Sequence, residues 1–471
     1  MLEDQNGTFW LAAAGIGFYS INHTENKTIL QKQGPEETNR FKYNDVTDLV
    51  LDSDKLWISF IDEGIVIYNI NSKKYKHYIN SKSDKFSLSE DGIRNMYKDN
   101  SGRMWICTNS SGIDVYDPYY KPFNTITTND CGTGLANSNI TSILESSPDK
   151  IWFGNYSGLN WFNPFNGEIG AFHTSNPVHI SLNTSGPECL YRDTDHNLWY
   201  GTWDRGLYKI SPDNKILSRY TTQNSPLKSN IICHITSDGN TKMYFATFGG
   251  GLYSYDYKNN QWETFLQDEK SNKGISYNTL QVLMYDSRQN LWIGTVGKGL
   301  DIMSKDANGN INFKNYQDTG DSTGINGNTV LSFCEDSYGN VWIGTSNGLN
   351  RFDPGTGTFK SFFPEDGLTD NPVMGIVEDN DKNLWISTIR GITKLNIPTM
   401  KFSKYTVLDG IQEGDFLIRS FCKTKSGHIY FGGTNGVTFF HPDEIVENPY
   451  PPKIEITSFK IFNEPVKFGE K

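Results

Sequence analysis

Three kinds of residue in this chain carry binding or catalytic chemistry: clustered carboxylates, scattered thiols and imidazoles, and aromatics set beside polar side chains. Asp193-Thr194-Asp195-His196-Asn197 and Asp379-Asn380-Asp381-Lys382-Asn383 have the alternating oxygens of a calcium loop. Both lack the central Gly that makes the turn and the Glu at the twelfth position that supplies a bidentate ligand, so no metal is expected there. The six Cys, at 107, 131, 189, 233, 334 and 422, form no C-x-x-C pair. Most lie in strand-like runs such as Trp105-Ile106-Cys107 and read as buried free thiols, which behave as small hydrophobes. The eight His show neither H-x-x-x-H nor H-E-x-x-H spacing. Neither a zinc site nor a cofactor is expected.

The third kind is more informative. Tyr156, Trp203, Asp204, Arg205, Phe248, Lys298, Asn347, Arg390 and Asn435, with Asn155 beside the first, all fall in the turn after a W-[IL]-[GS]-T-like run. Aromatic faces stack on sugar rings, and Arg, Asp, Asn and Lys bond hydroxyls or acid groups, so the set suits an oligosaccharide or another small ligand. Trp203-Asp204-Arg205 is the sharpest cluster, because an indole left bare in a turn is costly. The competing reading is that these are ordinary solvated turns. Asn139, Asn230, Asn278, Asn328 and Asn371, in the loops that enter the following run, read as structural, since Asn closes local turns by side-chain-to-backbone bonds.

What positions these residues is a repeat. Its aromatic recurs at Trp10, Trp57, Trp105, Trp152, Trp199, Tyr244, Trp292, Trp342, Trp385 and Tyr430, in steps of 43 to 50 residues. One unit reads Val330–Cys334, a turn, Val341–Thr345, a turn, Leu349–Phe352, a turn, and Phe359–Phe362. Four short strands joined by Gly, Asn, Asp and Pro make one antiparallel meander, and no helical period competes with it. A four-stranded sheet of this size cannot bury both faces alone, and radial stacking into a propeller does so. The fold expected is therefore all-β. A seven-bladed β-propeller of four-stranded blades over 132–446 follows three blades of a truncated first propeller over 1–131. Residues 447–471 read as a Pro-rich linker and the first strands of a β-sandwich. One ring of ten blades is the alternative. In the up-and-down path of each blade, the candidate turns and the loops between blades share one face, and the E-D-x-x-G-N turns lie on the other.

A net charge of −11 without a basic stripe argues against nucleic acid and anionic membranes as partners. No stretch reaches the roughly 20 apolar residues of a spanning helix. Met1-Leu2-Glu3-Asp4 has neither the basic nor the apolar part of a signal peptide, and the expectation is a truncated or mis-started chain.

Glu335–Leu349, which reads E-D-x-x-G-N-V-W-I-G-T-x-x-G-L, resembles the two-component regulator propeller repeat. The last unit, from Asp409-Gly410 through Gly432-Gly433 to Pro442, and the Pro449–Pro452 linker resemble the end of the propellers and the start of the β-sandwich in hybrid two-component sensors of Bacteroidetes-like bacteria. That resemblance implies a periplasmic ectodomain of an inner-membrane receptor. It also implies a glycan-fragment ligand, a homodimer in the full-length receptor, and a kinase and membrane helix beyond this chain. No catalytic residue is expected here. The rival readings are a glycan-active propeller enzyme of sialidase or lyase type, to which Ser337–Trp342 bears a faint Asp-box likeness, and a protein-binding propeller scaffold.

Overall fold

The computed structural model describes residues 1–13, 17–22, 27–30, 45–81, 87–128, 134–172, 186–268, 273–449, 460–461 and 464–465. They form short antiparallel strands, and the helical turns among the described residues are the three-residue segments Val407–Asp409 and Pro442–Glu444. The chain divides into two units, Lys121–Ile445 and Met1–Tyr120 with Val446–Lys471.

In Lys121–Ile445, six four-stranded meanders follow in chain order, from Ile140–Ser147 to Lys401–Tyr405. The seventh sheet takes three strands from Phe416–Lys423, Ile429–Gly433 and Gly436–Phe440, and its fourth from Asn124–Ile126. Asn124, Thr125 and Ile126 pair with Phe439, Thr438 and Val437, so the two ends of the unit are sewn into one sheet. The join expected at 131/132 leaves this closing strand on the other side, and the expected break at 129–133, with Cys131, lies outside the described residues. First strands neighbour one another in cyclic order, with Phe416–Lys423 returning to Ile140–Ser147. The seven blades close on themselves, which disposes of the ten-bladed alternative.

The repeat explains the closure. Its aromatic stands on the second strand of each sheet and packs into the next blade: Trp342 against Val373, Ile376 and Leu384, and Tyr430 across the join against Ile140, Ile151 and Phe153. Each such ring buries on the order of 200 Å², worth a few kcal/mol. The Gly of W-I-G-T lets the following blade approach. A Cβ on Gly344 would lie 2.6 Å from Val373 Cγ1, and one on Gly432 would lie 2.8 Å from Ile140 Cγ2.

The E-D-x-x-G-N turns are structural. Asp193 Oδ1 accepts from the Asp195 and Asn197 backbone N–H groups, while Oδ2 accepts from Asn197 Nδ2 and from Trp199 Nε1 at 2.9 Å. Asp379 and Trp385 repeat this at 2.8 Å, as do Asp336 and Trp342. The first carboxylate of each calcium-like loop, Asp193 or Asp379, is therefore engaged in holding its own turn and the core indole. Ser337–Trp342, the stretch with the faint Asp-box likeness, is the same device. The preceding Glu ties blades together: Glu335 accepts from Ser287 N–H at 2.8 Å, and Glu378 from Ser337 N–H at 2.9 Å.

The other unit holds four-stranded sheets over Leu2–Leu30 and Val46–Tyr78, then a sheet of three strands over Ile93–Tyr116. Trp10 and Trp57 are buried against the sheet that follows each of them. Trp105, at the same place in the third sheet, is 38% exposed. Of the expected sandwich start, the strand pair Lys460–Ile461 and Glu464–Pro465 is described, and the rest lies outside the described residues. Cys189 and Cys233 are buried and Cys107, Cys334 and Cys422 partly so, all as free thiols.

Candidate ligand-binding site

The turn after the second strand is built by the Thr of W-I-G-T. Thr202, Thr247 and Thr295 donate Oγ1–H to the carbonyls of Gly206, Gly251 and Gly299 at 2.8, 2.7 and 2.7 Å. These bonds fix the strand end, and the intervening residues project from one face of the ring. In each of the first three blades those residues begin with an aromatic. Tyr156 is 57% exposed, Trp203 49% and Phe248 39%, although each has the bulk of a core side chain. Trp203 and Phe248, from neighbouring blades, stand with ring centroids 5.7 Å apart.

Tyr156, Trp203, Asp204 and Phe248 line a cavity of about 730 Å³. Its size falls within the ~300–1,000 Å³ usual for small-ligand sites. Residues of the first strands, Thr141, Glu188, Gln281 and Arg419 among them, complete the wall. The cavity thus opens on the expected face and reaches down to the innermost strands.

Glu188 and Arg419 were not legible in the sequence. Their side chains are 12% and 7% exposed, and Arg419 Nη2 donates to Glu188 Oε2 at 2.7 Å. Arg419 Nη1 donates to the Cys233 carbonyl at 2.9 Å, so one guanidinium joins the seventh blade to the second and third. Its backbone is left-handed, with φ 63°, in a strand whose pairing shifts register between Phe416 and Phe421. Such a conformation in a bulky residue costs on the order of 1–3 kcal/mol and persists where other contacts impose it. His234 is partly buried nearby and accepts from Leu283 N–H at Nδ1, 3.3 Å. Burial, and then the charge of Arg419, push its pKa down to about 3, so the imidazole is neutral near pH 7.

The remaining candidates do not join this wall. Arg205 is half-buried with its Nε 3.7 Å from Asp204 Oδ1. Lys298 is exposed, and its backbone N–H donates to Thr295 Oγ1 at 3.0 Å. The Asn347 side chain donates to Asn326 Oδ1. Arg390 Nε lies 3.4 Å from Asp370 Oδ2, and Asn435 is exposed in its turn. Asn155 is buried and bonds Asn160 Oδ1 at 2.8 Å, a structural role. Asn230, Asn278 and Asn328 accept backbone N–H bonds from Thr222, Gln267 and Asp318 at 2.9, 2.8 and 2.8 Å, which makes them loop closers.

The first unit has a cavity of its own, about 620 Å³, lined by Trp57, Ile67, Tyr78 and Tyr116 with His77 and Asp114. Among the described residues no helix is long and apolar enough to cross a membrane.

Residues 87–110, 324–347 and 367–390 match the two component regulator propeller repeat. A protein named histidine kinase P4, from Formosa agariphila, is 27% identical over 268 residues, which is 54% of this chain and 19% of that protein. A crystal structure described as the extracellular domain of a hybrid two-component system of B. thetaiotaomicron aligns with TM-score 0.65 at 23% identity, over 100% of this chain and 61% of that one. PorZ of Porphyromonas gingivalis, described as a surface component of the type-IX secretion system, aligns with TM-score 0.54 at 13% identity, over 93% of this chain and 68% of its own. This chain therefore spans less than two thirds of the first two relatives, and at these identities the solved structures speak for the fold. The chain is a β-propeller protein that carries two-component regulator propeller repeats at these three places.

Proposed function

We propose that this chain is a sensor region of a hybrid two-component receptor, exposed in the periplasm, and that it recognises a glycan fragment in the mouth of the seven-bladed ring. The observation that carries this reading is the cavity where Tyr156, Trp203 and Phe248 stand solvent-exposed on one wall with the carboxylates of Glu188 and Asp204. Flat aromatic faces and bidentate polar groups are what a sugar ring, apolar on its faces and hydroxylated on its rim, requires. The repeats and the relative named as a histidine kinase support the sensor part of the proposal. In the whole protein the bound state would pass to a kinase across the membrane, through a homodimer.

The test is calorimetry of the chain against a panel of plant and host oligosaccharides. Saturable binding without product release is the expected result. Release of shortened sugars would replace this reading with the enzyme. Capture of a protein partner, with no sugar bound, would replace it with the scaffold.

A further inference from the structure

The charges on the cavity wall narrow what it can hold. Among the described residues, three charged side chains line it: Glu188, Asp204 and Arg419. The cation is already engaged, through its 2.7 Å bond to Glu188 and its 2.9 Å bond to the Cys233 carbonyl. With 7% of the side chain exposed, the guanidinium has no room to turn toward a guest. His234 adds no charge, since burial keeps it neutral. At the rim, Arg205 lies against Asp204, 3.7 Å from its carboxylate. These two cations are thus matched by carboxylates, and Arg419 leaves Glu188 Oε1 as an acceptor.

An acid group entering such a site would lose its water and meet carboxylates without an unmatched cation, an arrangement that disfavours the charged form. A hydroxyl would lose less and could donate to Glu188 or Asp204. We infer that the cavity selects a neutral saccharide, its hydroxyls donating to Glu188 and Asp204, and rejects sugars bearing uronate or sulfate groups. The inference rests on the glycan reading above and adds the charge class of the ligand.

The experiment is calorimetry of the 471-residue chain with two sets of tetrasaccharides. The neutral set comprises β-1,4-linked glucose, xylose, mannose and galactose. The acidic set comprises galacturonate, guluronate and sulfated chondroitin. The best neutral sugar should bind at least about tenfold tighter than any acidic one, with affinity changing less than about twofold between ~50 and ~500 mM salt, because no ion pair forms. A smaller margin, or an acidic sugar bound more tightly, overturns the inference and leaves the glycan reading standing. No binding in either set overturns both.

Glu188→Gln releases the Arg419 charge, and should weaken the neutral sugar about tenfold or more while bringing acidic sugars into the measurable range. Asp204→Asn, on the exposed rim, guards against misfolding of the buried variant. It should improve acidic binding about threefold or more, and no gain there would count against the inference.

Discussion

Blades one to three and blades four to seven share one backbone plan and differ in the turn after the second strand. The first three place Tyr156, Trp203 and Phe248 there, half-exposed and facing a cavity. The other four place Lys298, Asn347, Arg390 and Asn435, of which Asn347 is tied to Asn326 and Arg390 lies against Asp370. Two of the polar turns thus satisfy their side chains locally. The aromatic turns keep apolar surface in water that the fold does not require, and such surface is where binding is expected. A repeated scaffold thus separates two duties, with Asp193, Asp286, Asp336 and Asp379 holding their turns on one face while part of the other face is left open to a guest.

The largest expected effect is at the floor that both halves share. Arg419→Ala strands the Glu188 carboxylate in a buried setting and should cost the ring about 3 kcal/mol or more, read from urea unfolding. It should abolish sugar binding as well. Next, Trp203→Ala should weaken the best-binding sugar about 30-fold, roughly 2 kcal/mol, with unfolding stability within about 0.5 kcal/mol of the parent, because the indole is half-exposed. Equal losses in binding and stability would mean that Trp203 is a packing residue.

A pH effect is smaller and specific to the floor. His234 has a pKa near 3 in the folded chain against an ordinary value of 6.5. The unfolded chain therefore takes up the proton first, and stability present above pH 6.5 is lost as the pH falls toward 3. The expected slope is about 1.4 kcal/mol per pH unit within that window. His234→Asn, compared with the parent by urea unfolding at pH 7 and pH 5, should remove that slope. The smallest effects belong to the polar half: Lys298→Ala and Arg390→Ala should each change sugar affinity less than about twofold by calorimetry. A tenfold loss at either would erase the distinction between the two halves.

The blades were legible because one aromatic, one Gly and one Thr recur in register, and each has a physical duty at that place: packing the next blade, admitting its first strand and closing the turn. The aromatic half of the mouth was legible for the opposite reason, since Trp203 breaks the polar rule for a turn. Glu188 and Arg419 gave no such signal. They lie in first strands that read as ordinary β runs, 231 residues apart, and meet because the ring closes. The left-handed backbone at Arg419 has no Gly to announce it. Asn124–Ile126 was missed as the closing strand because three residues carry no pattern of their own, and their partner is Val437–Phe439 at the far end of the unit.

The most direct measurement is a crystal structure of this chain with the sugar that binds most tightly in calorimetry. The sugar should lie over Trp203 and Phe248, with a hydroxyl in hydrogen-bond reach of Glu188. A sugar seated instead on Lys298, Asn347 and Arg390, or in the cavity beside Trp57 and Tyr116, would contradict the account.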